Sequence, residues 1–168
     1  MVRRARTLGI AALVVLSACG TSSPPHPPTA AATGAATVER VVDGDTVIVR
    51  LSGRRERVRL IGIDTPETVK PNTPVQCFGP ESSRRAHELL PAGTAVRLVG
   101  DVEARDRYKR LLAYVYRAAD GLFVNLVLAR EGYARPYPFR PNVAHEAEIA
   151  RAADDARAAG RGLWSRCG

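Results

Sequence analysis

The chain has 168 residues, 45% of them hydrophobic and 25% charged, with a net charge of +8. That is enough apolar material for one domain with its own core and too much for a disordered chain. The excess of base favours a polyanionic partner, since phosphate contacts release counterions, but charge alone names none.

The N-terminus is not part of the fold. Arg3, Arg4 and Arg6 precede an apolar run over residues 8–16, which is too short to span a bilayer and has the form of a secretory signal. The run ends in Leu16-Ser17-Ala18-Cys19, followed by Gly20. This resembles the bacterial lipobox, in which the cysteine is lipidated and becomes the new N-terminus. An ordinary signal peptide with an incidental cysteine is the alternative. The expected product is exported and anchored to a membrane of the bacterial cell envelope by lipid on Cys19, stably if more than one acyl chain is attached. Residues 1–18 hold three of the 25 basic residues and no acid, so their removal leaves 22 against 17. Residues 19–37 are rich in Ser, Pro, Thr, Ala and Gly and read as a flexible tether. His26 is a bystander among prolines.

The domain is expected from residue 38. Residues 38–42 and 46–51 are β-rich runs joined by the turn signal Asp43-Gly44-Asp45. Ser52-Gly53 turns again into residues 56–63, where apolar residues alternate with Arg57 and Arg59. A proline-bearing loop over 64–77 leads to a helix over 80–90 with Pro80 in its first turn. Strands are expected at 95–99 and 111–116, with a polar connection over 101–109. A short buried helix is expected at 124–130, capped by Gly132. Residues 133–141 read as a loop rich in proline and tyrosine, and residues 143–159 as an alanine-rich helix. Five strands with a helix after the third give an α+β domain built on a small Greek-key barrel of the OB type.

Three cysteines are an awkward number for an exported protein. With Cys19 acylated, Cys77 and Cys167 remain and can pair outside the cell, tying the C-terminal tail to the loop before the first helix. Two free thiols are the alternative. Neither cysteine has zinc-site spacing.

The chemistry is concentrated in VVDGDTVIVRLSGRRERVRLIGIDTPE over residues 41–67. Asp45 and Asp64 stand at two strand ends and can converge on one cation if the strands are neighbours. Calcium accepts such hard oxygens in irregular geometry, and the carbonyl of Thr65 could add a ligand. Each acidic turn taken alone is equally an ordinary turn, because Asp and Gly suit turns for backbone reasons. Arg59 points away from its strand's apolar face, and Arg110 precedes another strand. Two guanidinium groups can bind a phosphodiester bidentately as its equatorial oxygens gain charge. Glu67 is close enough to Asp64 to act as general base. Either arginine taken alone could be a solvated surface charge.

The segments VVDGDTV, RVRLIGIDTPE, FGPESS, DRYKRLLAYVY and GLW, in that order, resemble the staphylococcal nuclease (thermonuclease) family from about residue 38 to 164. The resemblance implies an OB-fold barrel with three helices, calcium dependence and hydrolysis of DNA and RNA with 3′-phosphate products. Carried over by position, Asp45 and Asp64 are the calcium carboxylates and Thr65 the carbonyl ligand. Arg59 and Arg110 bind phosphate and stabilise the transition state, Glu67 is the proposed base, and Asp43 is an acid behind the metal. Tyr137 matches a tyrosine that packs on the terminal nucleotide. Phe139 stands where a second tyrosine is expected; it keeps the stacking face and loses the phenol. Lys109 replaces a glycine common before the catalytic arginine, and either strains that turn or adds a phosphate contact. His87, His145 and Trp164 are assigned no chemistry.

The expected protein is therefore a monomeric, envelope-tethered nuclease favouring single strands, which splay more readily onto a barrel surface. Two rivals differ in class. A non-catalytic OB-fold module would bind nucleic acid without cutting it. A structural surface lipoprotein would show no calcium dependence. The presence together of Asp45, Arg59, Asp64, Glu67 and Arg110 favours the enzyme.

Overall fold

The computed structural model describes residues 32–69 and 71–167; the signal segment, Cys19 and most of the expected tether lie outside them. Five strands close a barrel: β1 (Ala32–Asp43), β2 (Thr46–Leu51), β3 (Arg54–Leu60), β5 (Ala95–Val99) and β6 (Leu111–Arg117). Their order around the barrel is β1-β2-β3-β6-β5. All pairs are antiparallel except β3 with β6, where Val58 faces Leu111 and Leu60 faces Ala113. Alternation along the strands fills the interior: Val47, Val49, Val58, Leu98 and Val115 are fully buried. Closure leaves no unpaired sheet edge in the barrel.

Two further short strands, β4 (Gly62–Asp64) and β7 (Arg135–Tyr137), pair outside the barrel with Asp64 opposite Arg135. The helices are α1 (Gly79–Leu89), α2 (Val124–Arg130), α3 (Glu146–Ala158) and the single turn α4 (Leu163–Arg166). Ile149 and Ala153 of α3 join the core cluster together with Val127 and Leu128 of α2. Asn125 of α2 is fully buried. Its Nδ2 donates to Ile61 O at 2.8 Å and its Oδ1 accepts Val115 N at 3.0 Å, satisfying two backbone groups where the chain leaves the barrel.

Three boundaries differ from the sequence expectation. The first strand begins at Ala32, not at 38, because residues 32–37 pair with β5 from Ala32 opposite Val99 to Thr37 opposite Ala95. Small residues give this segment no periodic signal, so only its partner reveals it. The strand expected over 56–63 is two strands. Leu60 N donates to Asp45 O at 2.9 Å, and Gly62 then takes φ +83°, which swings the chain out to meet β7. A Cβ on Gly62 would lie 2.6 Å from Ile149 Cδ1, so glycine also lets α3 approach. Finally, the loop expected over 133–141 contains β7, which proline at its centre conceals.

Cys77 and Cys167 are joined by a disulfide across 90 residues. Just before Cys77, Gln76 closes the neck of the loop after β4. Its Oε1 accepts Glu67 N at 2.9 Å and its own N–H donates to Glu67 O at 3.0 Å. The bridge thus secures the C-terminal side of a loop that carries an acidic residue into the cleft described next.

Candidate active site

An open cleft of about 920 Å³ lies beside the mouth of the barrel. Asp43, Asp45, Arg59, Asp64, Thr65, Glu67, Arg110, Tyr137 and Phe139 all line it. Residues far apart in sequence meet because the β1–β2 turn, the end of β3, β4 and its following loop, the start of β6 and β7 all open on one side.

Asp45 and Arg59 form its buried floor, 8% and 5% exposed. Arg59 Nη1 donates to Leu60 O at 2.9 Å and to Ile63 O at 2.8 Å. Its Nη2 lies 2.8 Å from Asp64 Oδ1 and 3.2 Å from Asp45 Oδ2. One guanidinium nitrogen therefore gathers both carboxylates. Asp45 Oδ2 also accepts Thr65 N at 3.1 Å and Thr65 Oγ1 at 3.2 Å, while Oδ1 accepts Thr46 Oγ1 at 2.9 Å. Gly44 lets this happen, since a Cβ there would fall 2.7 Å from the Thr65 side chain. Asp45 is held by donors on every side, so its orientation is fixed before any ligand arrives.

Behind this pair, Asp43 accepts Gly44 N at 2.9 Å and Thr68 Oγ1 at 2.8 Å on Oδ1. Burial, and a side-chain hydrogen bond with Glu67, push its carboxyl up to about 6. Burial also pushes the Asp64 carboxyl up; Arg59 pulls it down, and the like charges of Asp45 and Glu67 add to the rise. Negative charge is crowded and under-solvated here, which is the electrostatic condition for binding a cation. Glu67 Oε1 accepts the N–H groups of Thr68 and Val69 at 3.0 and 2.9 Å.

Among the described residues, no three His, Cys, Asp or Glu side chains group as a metal centre. The donor set is instead two carboxylates, Asp45 and Asp64, beside the backbone of Thr65. Hard oxygens few in number suit a cation that takes carbonyls, water and substrate oxygens as its remaining ligands.

Comparison with known proteins settles the family. Residues 57–166 match the staphylococcal nuclease homologue family. The thermonuclease of Staphylococcus intermedius is 46% identical over 129 residues, covering 77% of this chain and 75% of that protein. The thermonuclease of Staphylococcus hyicus is 44% identical over 128 residues, covering 76% and 74%. Endonuclease YncB of Bacillus subtilis (strain 168) is 38% identical over 133 residues, covering 79% and 62%. The chain belongs to the staphylococcal nuclease family. It is a nuclease, a phosphodiester hydrolase on an OB-fold barrel.

The nuclease cleft also holds residues that sequence reasoning missed. Asp106 grips Arg110, its Oδ2 accepting Nε at 2.7 Å and its Oδ1 accepting the Arg110 N–H at 2.9 Å. Tyr108, 62% exposed, presents its ring with the Arg110 guanidinium carbon 5.4 Å from its centre. Arg57 and Gln76 also line the cleft; Gln76 had no signal, since its partner lies across a loop.

Lys109 stands apart. It does not line the nuclease cleft, and its backbone has φ +64° in a turn closed by Lys109 N donating to Asp106 O at 3.0 Å. The left-handed backbone expected to strain this turn is thus present at Lys109. Tyr137 and Phe139 face each other across 6.1 Å at the cleft's edge. His145 packs between Tyr114 and Phe123, and Trp164 lies between the guanidinium groups of Arg135 and Arg157, so both are structural.

Proposed function

We propose that this nuclease is calcium-dependent, hydrolyses both DNA and RNA with preference for single strands, and works at the bacterial cell envelope on a lipid anchor at Cys19. The observation that carries the catalytic part is the meeting of Asp45 and Asp64 at one nitrogen of Arg59, with Glu67 and Arg110 lining the same cleft. The anchor rests on the sequence Leu16-Ser17-Ala18-Cys19 alone.

Asp45, Asp64 and the carbonyl of Thr65 would hold the cation. When bound, it would neutralise phosphate charge and orient the attacking water. Arg59 and Arg110 donate to the equatorial oxygens of the phosphoryl group. Both are held in place by other protein groups, so they need little reorganisation as charge develops. Glu67 takes a proton from water as the water oxygen bonds to phosphorus. The bond from phosphorus to the 5′ oxygen breaks and that oxygen takes a proton from solvent, leaving a 5′-hydroxyl and a 3′-phosphate. Tyr137, Phe139 and Tyr108 offer ring faces on which unpaired bases can stack, at about 1–3 kcal/mol each, and bases in a duplex are not free to do so.

The test incubates the protein with single-stranded DNA or RNA in calcium, in magnesium and in chelator. Glu67→Gln and Arg110→Ala serve as controls. Cleavage of both polymers that requires calcium and is lost in the controls supports the reading. Binding without cleavage in any metal would sink it. Retention of Cys19→Ala in the membrane fraction would sink the anchor.

A further inference from the structure

The outer face of β1, β2 and β3 carries charge that the cleft chemistry does not use. Val47 and Val49 point into the barrel, so Thr46, Ile48 and Arg50 point out. Pairing across the sheet sets these outward residues in rows. Thr46 faces Arg59 at the cleft floor. The next row is Arg40, Ile48 and Arg57, and the one beyond is Thr37, Arg50 and Arg55. Residues opposite one another across strands share a face. Arg40, Arg50, Arg55 and Arg57 are all exposed.

Their surroundings are one-sided. Glu39 meets Arg55 at 2.9 Å and Arg50 at 3.5 Å. Among the described residues, neither Arg40 nor Arg57 has an ion-pair partner, so the face carries four arginines against one glutamate. Ile48 is only 8% exposed and yet is not part of the core cluster, consistent with cover by the aliphatic stems of Arg40 and Arg57. Like charges set opposite each other, as Arg50 and Arg55 are, weaken a sheet. A face shaped for stability would mix its signs; this one is complementary to a polyanion. It is also continuous with the cleft, since Arg57 lines both.

We propose that this face extends the substrate groove, carrying a nucleic-acid strand beyond the scissile phosphate. Arg57 and Arg40 meet the first phosphate outside the cleft, and Arg50 and Arg55 meet the next. Successive rows lie about 7 Å apart, the two-residue repeat of a β-strand. The inference rests on the nuclease reading of the cleft.

The test measures binding of labelled oligothymidylates, one of about twenty nucleotides and one of three, to the full chain in chelator over a range of salt. In Arg40→Ala/Arg50→Ala, affinity for the long strand should fall about tenfold relative to affinity for the short one. Its salt slope should shrink by up to about 1.4, at most about 0.7 for each of the two phosphates that loses one of its arginines. Arg40→Lys/Arg50→Lys should restore most of both. Unchanged affinity and slope for the long strand overturn the proposal. Equal loss for both lengths also overturns it, because the effect would then lie in the cleft or the fold. Failure of the cleft reading would show separately, as wild-type protein that binds neither length, and would overturn both.

Discussion

Asp106 grips Arg110 with both carboxylate oxygens, one on the guanidinium at 2.7 Å and one on the backbone N–H at 2.9 Å. The first interaction orients the guanidinium and the second fixes the backbone that carries it. Asp106 is thus a positioning residue for Arg110, the arginine proposed above to donate to the phosphate. Asp106→Ala should lower kcat by about 10–100-fold with a smaller change in KM, whereas Arg110→Ala should cost about 100–1000-fold, as when a transition-state donor is removed. Steady-state kinetics on single-stranded DNA checks both. Equal KM and kcat effects in Asp106→Ala would point to a folding defect instead.

Lys109 holds a left-handed backbone beside Arg110. An L-residue there costs about 1–2 kcal/mol, part of which glycine would return through its freer unfolded chain. Lys109→Gly should therefore stabilise the protein by about 0.5–1 kcal/mol, raising Tm by a few degrees. Calorimetry decides it, and a lower Tm would mean that the Lys109 side chain contributes more than its backbone strain costs.

Gly62 is the reverse case. Its φ of +83° and the 2.6 Å approach a Cβ would make to Ile149 combine backbone strain with overpacking. Gly62→Ala should destabilise by about 2–4 kcal/mol. It should also reduce activity, because the bend at Gly62 aims Asp64 at Arg59. Urea titration measures the first effect and turnover the second.

Asp43 makes stability depend on pH in a definite direction. Its folded pKa, about 6, lies above the ordinary 3.8. The folded state therefore holds the proton more tightly than the unfolded state, and stability rises as pH falls from about 7 through 6 towards 4. Urea midpoints in chelator between about pH 7 and 5 should increase on acidification, and Asp43→Asn should flatten the trend. A wild-type midpoint that falls over this window would contradict the assignment.

The disulfide closes 90 residues between the cleft loop and the C-terminal tail. On the chain-entropy account, Cys77→Ser/Cys167→Ser should lose about 4–5 kcal/mol of stability. Activity should fall as well, since Gln76, adjacent to Cys77, holds Glu67 by two hydrogen bonds. Retention of full activity in the double variant would show that the neck of the loop holds without the bridge.

Local chemistry is legible in the sequence. Alternation in VVDGDTVIVRL marks strands because side chains of a strand must face either core or solvent, and Pro80 marks a helix start because its ring suits the first turn. The acidic turns and the arginines of RVRL and KRLL are visible as residue types that suit phosphodiester chemistry. Residues 32–37 and β7 are not legible. Ala, Thr and Gly bury too little to leave a period, and a three-residue strand with a central proline forms only because β4 lies alongside it. Whether Lys109 strains its turn likewise depends on a backbone angle that no residue name supplies.

Sequence by itself determined which groups this protein has to work with, because donor and acceptor chemistry belongs to the side chain wherever it ends up. Tertiary structure alone decided that Asp45 and Asp64 share one nitrogen of Arg59, and that Asp106 holds Arg110. It also set Arg40 and Arg57 on one face beside the cleft. Those relationships are made by strand register and by the bend at Gly62, and register is settled by packing both faces of the barrel at once, a constraint that no local stretch of sequence contains.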